Sequence, residues 1–256
     1  MLCRVAAIAA IAALVVAPSF GDAQSAAEHI ALGDREATGM NPTAALAHFE
    51  QAVAAGPQSY EALWKASREA IGLGEYEEDA ERRAEYFRRG EDYARRAVEA
   101  NPTDAEGHFV LARALGRVAL TLGTRARIRY AGDVRKHALE ALEHDPRHPG
   151  ALHVMGVWNA EVMRLSGLSR TIARTFLGGG VFGEASWANA VSYMEQSVAV
   201  DPERLTHHLD LGKIYVDVGQ TAKARAAFEA VIGGTATEYN DRFYKQEAEQ
   251  ALARLR

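Results

Sequence analysis

Histidines, arginines and paired carboxylates are the side chains with chemistry to offer in this 256-residue chain, and their spacing limits what they can do. Nine histidines raise the question of a metal. His144 and His148 bracket the Asp145-Pro146 turn, His207 and His208 are neighbours that must diverge on a helix, and His137 and His153 stand singly. No His-Glu-x-x-His or comparable ligand spacing occurs, so no metal is expected. Catalytic patterns are equally lacking. There is no Gly-x-Ser-x-Gly elbow and no dinucleotide fingerprint, and the triple glycine 178–180 lacks the Gly-Lys-Ser/Thr ending of a phosphate loop. Glu77 and Glu81 pair on a charged outer face. Neither an enzyme nor a cofactor is expected.

Arginine carries the stronger signal. From Arg113 to Lys136, seven cations (Arg113, Arg117, Arg125, Arg127, Arg129, Arg135, Lys136) accompany one anion, Asp133. Clustered guanidinium groups hold phosphate or carboxylate bidentately. The competing reading is a solvated helix face neutralised by nearby glutamates, with the acidic run 75–79 as its partner. The chain as a whole carries a net charge of −5, which argues against a general nucleic-acid binder.

These side chains must be positioned by helices. Helix period dominates and no long stretch alternates with period 2. Four segments close with a small or apolar helix face, a polar turn and a proline, at Pro57, Pro102, Pro146 and Pro202. Each unit is a helix pair, and stacked pairs build a solenoid whose usual business is binding. The expected units are 25–57, 59–102, 103–146, 147–202 and 203–237, with a cap at 238–256. Counting from each proline, Leu32, Gly33, Ala45, Phe49 and Ala52 in the first unit match the tetratricopeptide pattern. So do Leu211, Gly212, Tyr215, Ala224 and Phe228 in the last. Small residues fall where two antiparallel helices approach closely, and bulky ones between neighbouring pairs.

The chain therefore resembles a tetratricopeptide-repeat protein: an all-α, helical-hairpin solenoid with lengthened middle helices and a C-terminal capping helix. Set against a 34-residue unit, units two, three and four carry about 11, 10 and 22 extra residues. The lengthening falls around 77–99 and 124–143, and unit four holds a separate insertion at 166–186. Within that insertion Leu165, Leu168, Ile172 and Phe176 recur at helical spacing, expected as a plug of the solenoid's hollow in preference to a lid or a membrane contact. The segments Glu-Ala-Leu-Trp-Lys-Ala-Ser-Arg (61–68), Gly-Val-Trp-Asn-Ala-Glu-Val (156–162), Ile-Ala-Arg-Thr-Phe-Leu-Gly-Gly-Gly (172–180) and His-Leu-Asp-Leu-Gly-Lys-Ile-Tyr (208–215) resemble the regulator of microtubule dynamics family, over 59–256. That resemblance implies a tetratricopeptide adaptor, of a family linked in some members to microtubules and in others to membranes and lipids.

The first residues read as an export leader. Arg4 precedes the apolar run Val5–Ala17, and Gly21-Asp22-Ala23 supplies small residues for cleavage after Ala23. Thirteen residues are fewer than the roughly 20 that span a bilayer. The expected mature domain, 24–256, is periplasmic or secreted and free of thiols, since the single cysteine, Cys3, lies in the leader. No tubulin would be met there.

In a tetratricopeptide solenoid the first helix of each pair lines the concave face. The inward positions are Glu61, Trp64, Lys65, Arg68 and Ile71 in unit two, and Glu106, Phe109, Val110, Arg113 and Arg117 in unit three. Unit four supplies His153, Val154, Val157 and Glu161; unit five supplies Leu209, Asp210, Lys213 and Val216. Aromatic residues and arginine carry much of the energy at such surfaces. Ile30, Asp34 and Val110 stand where a carboxylate clamp for chaperone tails needs Lys, Asn and Arg, so that clamp is absent. The expected function is an adaptor holding a protein partner of the cell envelope, with no nucleic acid. The alternative is a carrier of a phospholipid or fatty acid, with Trp64, Phe109, Val154 and Val157 around the apolar part and Arg68, Arg113 and Arg117 at the anionic head. An adaptor needs an open groove; a carrier needs an enclosed cavity of about 300–1,000 Å³.

Overall fold

The computed structural model describes residues 20–165 and 180–255. Among them are eleven helices of three or more turns and one single turn. In order they are α1 (Phe20–Thr38), α2 (Pro42–Ala55), α3 (Tyr60–Glu75), α4 (Ala80–Ala100), α5 (Ala105–Leu120), α6 (Thr124–His144) and α7 (Pro149–Arg164). There follow the turn α8 (Gly180–Gly183), then α9 (Trp187–Val200), α10 (Leu205–Asp217), α11 (Thr221–Gly233) and α12 (Asp241–Arg254). None is long and apolar enough to cross a membrane. Most of the expected leader and most of the 166–186 insertion lie outside the described residues.

The four proline turns have one geometry. Gly56, Asn101, Asp145 and Asp201 end α2, α4, α6 and α9 in extended conformations, with φ between −131° and −145°. A following proline disfavours the α region for these residues, and each helix stops there. Each also donates its backbone N–H to the carbonyl four residues back, on Ala52, Ala97, Ala141 and Ser197. Two residues past each proline stands the N-cap of the next helix, and the Ser59, Asp104 and His148 side chains cap the first three. The His148 cap is unusual: its Nδ1 accepts from the Ala151 N–H at 3.1 Å.

Within pairs, small residues admit large ones. Phe49 lies against Gly33 and Phe228 against Gly212, so closely that a Cβ on either glycine would overlap the ring. α4 and α6 each run 21 residues against 14 in α2, as the added residues in units two and three require. Their length builds the largest core, where α5, α6 and α7 bury Leu111, Leu115, Val134, Met155 and Trp158. Trp158 donates its indole N–H to the Ala131 carbonyl at 2.7 Å, and Phe182 of α8 stacks on the indole. The described end of the insertion is thus folded back onto the core through Phe182, which is buried.

The first helices of successive pairs, α1, α3, α5, α7 and α10, touch one another in turn along the inner face. α12 packs Tyr244 and Ala248 onto α10 and α11 as a cap. It also does something a cap on an open end would not: its side chains bridge back to α3. Asn240 Nδ2 donates to the Gly72 carbonyl at 2.9 Å, and the Tyr76 and Phe243 rings stack with centroids 4.3 Å apart. The superhelix thereby closes across its own hollow.

Candidate functional site

Closure leaves a cavity of about 720 Å³ on the concave side, walled by α3, α5, α6, α7, α10 and α12. Helix period decides which residues face it. On α3 these are Trp64 and Arg68, one turn apart; on α5 Phe109, Arg113 and Arg117 recur at every fourth position; on α7 they are His153, Val154 and Val157. Eight of the ten residues singled out from the sequence as a binding face therefore come together on one wall.

Two do not. Val110 is 2% exposed within the core that α5 shares with its neighbours, because Phe109 beside it takes the inner direction and adjacent helical residues diverge by about 100°. Lys65 turns toward α1, where its Nζ meets both carboxylate oxygens of Asp34 (2.7 and 2.6 Å) and Glu61 at 2.7 Å. It is 8% exposed and spent on these pairs.

The arginines of the wall are also partnered. Arg113 and Arg117 both reach Glu75, whose side chain is only 9% exposed, and Arg117 is held above its ordinary pKa by that carboxylate against the opposing effect of burial. Arg68 pairs with Glu69 at 3.0 Å and lies over the Trp64 ring. Farther along the basic run, Arg135 pairs with Glu184 and Lys136 with Glu140. Neutralisation by glutamates thus accounts for much of the cluster. Arg127, at the mouth, reaches only the Leu120 carbonyl, at 3.4 Å, with no carboxylate partner among the described residues.

A second polar group lies across the cavity. Asp210 Oδ2 is 2.9 Å from His153 Nε2 and its Oδ1 is 3.1 Å from Lys213 Nζ, which also meets Glu247 of α12. Burial by itself would raise the Asp210 carboxyl, but Lys213 and His153 hold it well below the usual range. Tyr244 and Trp158, also on the wall, were not singled out from the sequence. Nor do the histidines stand singly: the His153 ring lies tilted against His207, with centroids 5.0 Å apart, and His137 stacks on His108.

The inner wall thus offers aromatic and aliphatic surface flanked by partnered charges, with no nucleophile–base pair evident among the described residues. The chain as a whole is similar to known proteins. The regulator of microtubule dynamics protein 1 of Bos taurus is 29% identical over 172 residues, covering 66% of this chain and 52% of that protein. Its Mus musculus counterpart is 26% identical over 199 residues, covering 76% of this chain and 64% of that protein. The chain thus spans roughly half to two thirds of the length of these relatives. Among solved structures, a thermophilic TPR protein of Thermus thermophilus superimposes with a TM-score of 0.60 at 18% identity, covering 88% of this chain and 99% of that one. PilW, a type IV pilus biogenesis factor, does so with a TM-score of 0.52 at 16% identity, covering 90% and 87%. These likenesses show the tetratricopeptide fold. A family profile, Regulator of microtubule dynamics protein 1-3, matches residues 30–256, reaching further back than the motifs at 59–256 to include the second half of α1 and all of α2. This chain belongs to that family.

Proposed function

We propose that this chain is a non-catalytic binding protein of the cell envelope that holds a segment of a protein partner in its concave cavity. One observation carries the reading: Trp64, Phe109, Val154 and Val157 converge on one wall with Arg68 and Arg113 beside them. Rigid aromatic rings and arginines in a partly desolvated hollow are the groups that dominate protein interfaces. The envelope assignment rests on the leader pattern at 4–23, and under it the microtubule role in the relatives' name has no tubulin to act on.

A second reading has its own support. The bridge from α12 to α3 bounds the hollow, and about 720 Å³ falls within the size of small-ligand cavities. A phospholipid or fatty acid is the corresponding ligand, its head near Arg68 or Arg127.

Native mass spectrometry of the purified full chain, solvent extraction of any adduct and crosslinking to envelope proteins separate the two. A discrete extractable lipid assigns the carrier; a clean mass with a reproducible crosslinked protein assigns the adaptor. Trp64→Ala with Phe109→Ala removes the capture in either case. Unchanged capture by that double variant overturns the site.

A further inference from the structure

Away from the cavity, where α5 faces α6, three side chains converge. His108 Nδ1 lies 3.1 Å from His137 Nδ1 and 3.2 Å from Glu140 Oε2, and His137 Nδ1 lies 3.0 Å from the same carboxylate oxygen. The three atoms form a nearly equilateral triangle. In a tetrahedral site with bonds of about 2.0 Å, the ligand atoms stand about 3.3 Å apart. The triangle is close to one face of that tetrahedron.

A single shared proton satisfies the two imidazoles but leaves the carboxylate oxygen out. His108 Nε2 is 2.9 Å from the Pro102 carbonyl, which can only accept, so Nε2 carries the ring proton and Nδ1 of the neutral ring is a lone pair. That lone pair faces a second imidazole nitrogen and a carboxylate oxygen. A proton on His137 Nδ1 serves one of these acceptors at a time. Glu140 Oε2 is buried with no hydrogen-bond partner, so the 3.0 Å approach of His137 lacks the alignment of a hydrogen bond. A cation held among these three atoms satisfies the buried carboxylate oxygen and both imidazole nitrogens at once.

The surroundings suit one. A backbone carbonyl that fixes the tautomer of a ligating histidine is the usual outer partner of a metal site, and here the repeat turn at Pro102 supplies it. His137 and Glu140 sit at i and i+3 of α6, on one stripe opposite His108 of α5. The Glu140 side chain is 33% exposed, leaving a way in for an ion and its water.

We propose that His108, His137 and Glu140 form a zinc site that clips α5 to α6, with water completing a tetrahedron. Two imidazoles and a carboxylate, without sulfur, are a donor set that zinc accepts with an open fourth position.

The test uses tag-free full chain, stripped with chelator and titrated with zinc chloride by calorimetry, with zinc content measured after dialysis. One zinc per chain is expected. Glu140→Gln, which keeps size and helix, should weaken binding at least tenfold, and His108→Ala with His137→Ala should abolish it. His153→Ala, in the other histidine pair, should leave it unchanged. Cobalt added to the wild-type chain should give the strong visible absorption of a four-coordinate ion, a readout that needs no variant to fold. No retained zinc and no such absorption, or one zinc held equally well by the Glu140→Gln and double-alanine variants, overturns the proposal.

Discussion

Tyr244 of α12 donates its hydroxyl to Glu75 Oε2 of α3 at 3.3 Å, joining residues 169 positions apart. Glu75 is the same carboxylate that holds Arg113 and Arg117. One buried acid therefore ties the second helix pair, the third and the C-terminal helix together at the edge of the cavity.

Loosening that closure should cost stability in proportion to what is lost. Tyr244→Phe removes one hydrogen bond and should cost about 1 kcal/mol in urea unfolding. Tyr76→Ala removes the ring stacked on Phe243. It should cost more, since an aromatic pair contributes about 0.5–1.5 kcal/mol beyond its buried area. Faster amide exchange across 241–254 should accompany the larger loss. Equal effects would mean that α10 and α11 alone hold α12.

Glu75→Gln leaves Arg113 and Arg117 side by side without a carboxylate. Breaking a buried pair costs about 3–5 kcal/mol. Both guanidinium groups keep some contact with water, so about 2 kcal/mol is expected here. The freed arginines should also bind a fatty-acid probe several-fold more tightly, an effect that fades with salt. Unchanged affinity would remove these arginines from the binding surface.

Gly212→Ala should cost about 1–3 kcal/mol, because the new methyl meets the Phe228 ring. Adding Phe228→Leu should recover part of the loss relative to Phe228→Leu alone. A double-mutant cycle by chemical denaturation reads the coupling; strict additivity would mean the helices spread apart instead.

Acidification should destabilise the fold through His207. Burial first, then His153 and Arg204 beside it, push His207 down to about 2. An unfolded histidine titrates near about 6.5. Between those values the unfolded chain binds a proton that the folded chain refuses. Stability is thus full above about pH 6.5 and falls by about 1.4 kcal/mol per pH unit below it. The depressed Asp210 carboxyl adds a loss only below about pH 4, where the unfolded carboxylate takes up a proton that the folded one refuses. His207→Leu should flatten the slope of unfolding free energy between about pH 6 and 4. An unaltered slope would assign the loss to another histidine such as the half-buried His137, which desolvation also pushes down.

What the sequence determined by itself was local. Prolines 57, 102, 146 and 202 mark the ends of their helices, since the residue before each is disfavoured in the α region. Helix period places Phe109, Arg113 and Arg117 on one stripe, and it places Phe49 on Gly33 and Phe228 on Gly212 once the pairs are known to be antiparallel hairpins. Periodicity cannot rank two neighbours at the edge of a stripe, which is why Val110 went to the core and Phe109 to the cavity. Nor does it show that Asp34, on another helix, claims Lys65. Meetings between helices depend on their mutual register, so His137 and Glu140 are legible as one face of α6 while His108, 29 residues earlier, is not legible as their partner. The closure by Tyr244 lies further still from any local signal. Small rotations between successive helix pairs accumulate along a solenoid, and only their sum brings α12 back to α3 and bounds the groove at one end.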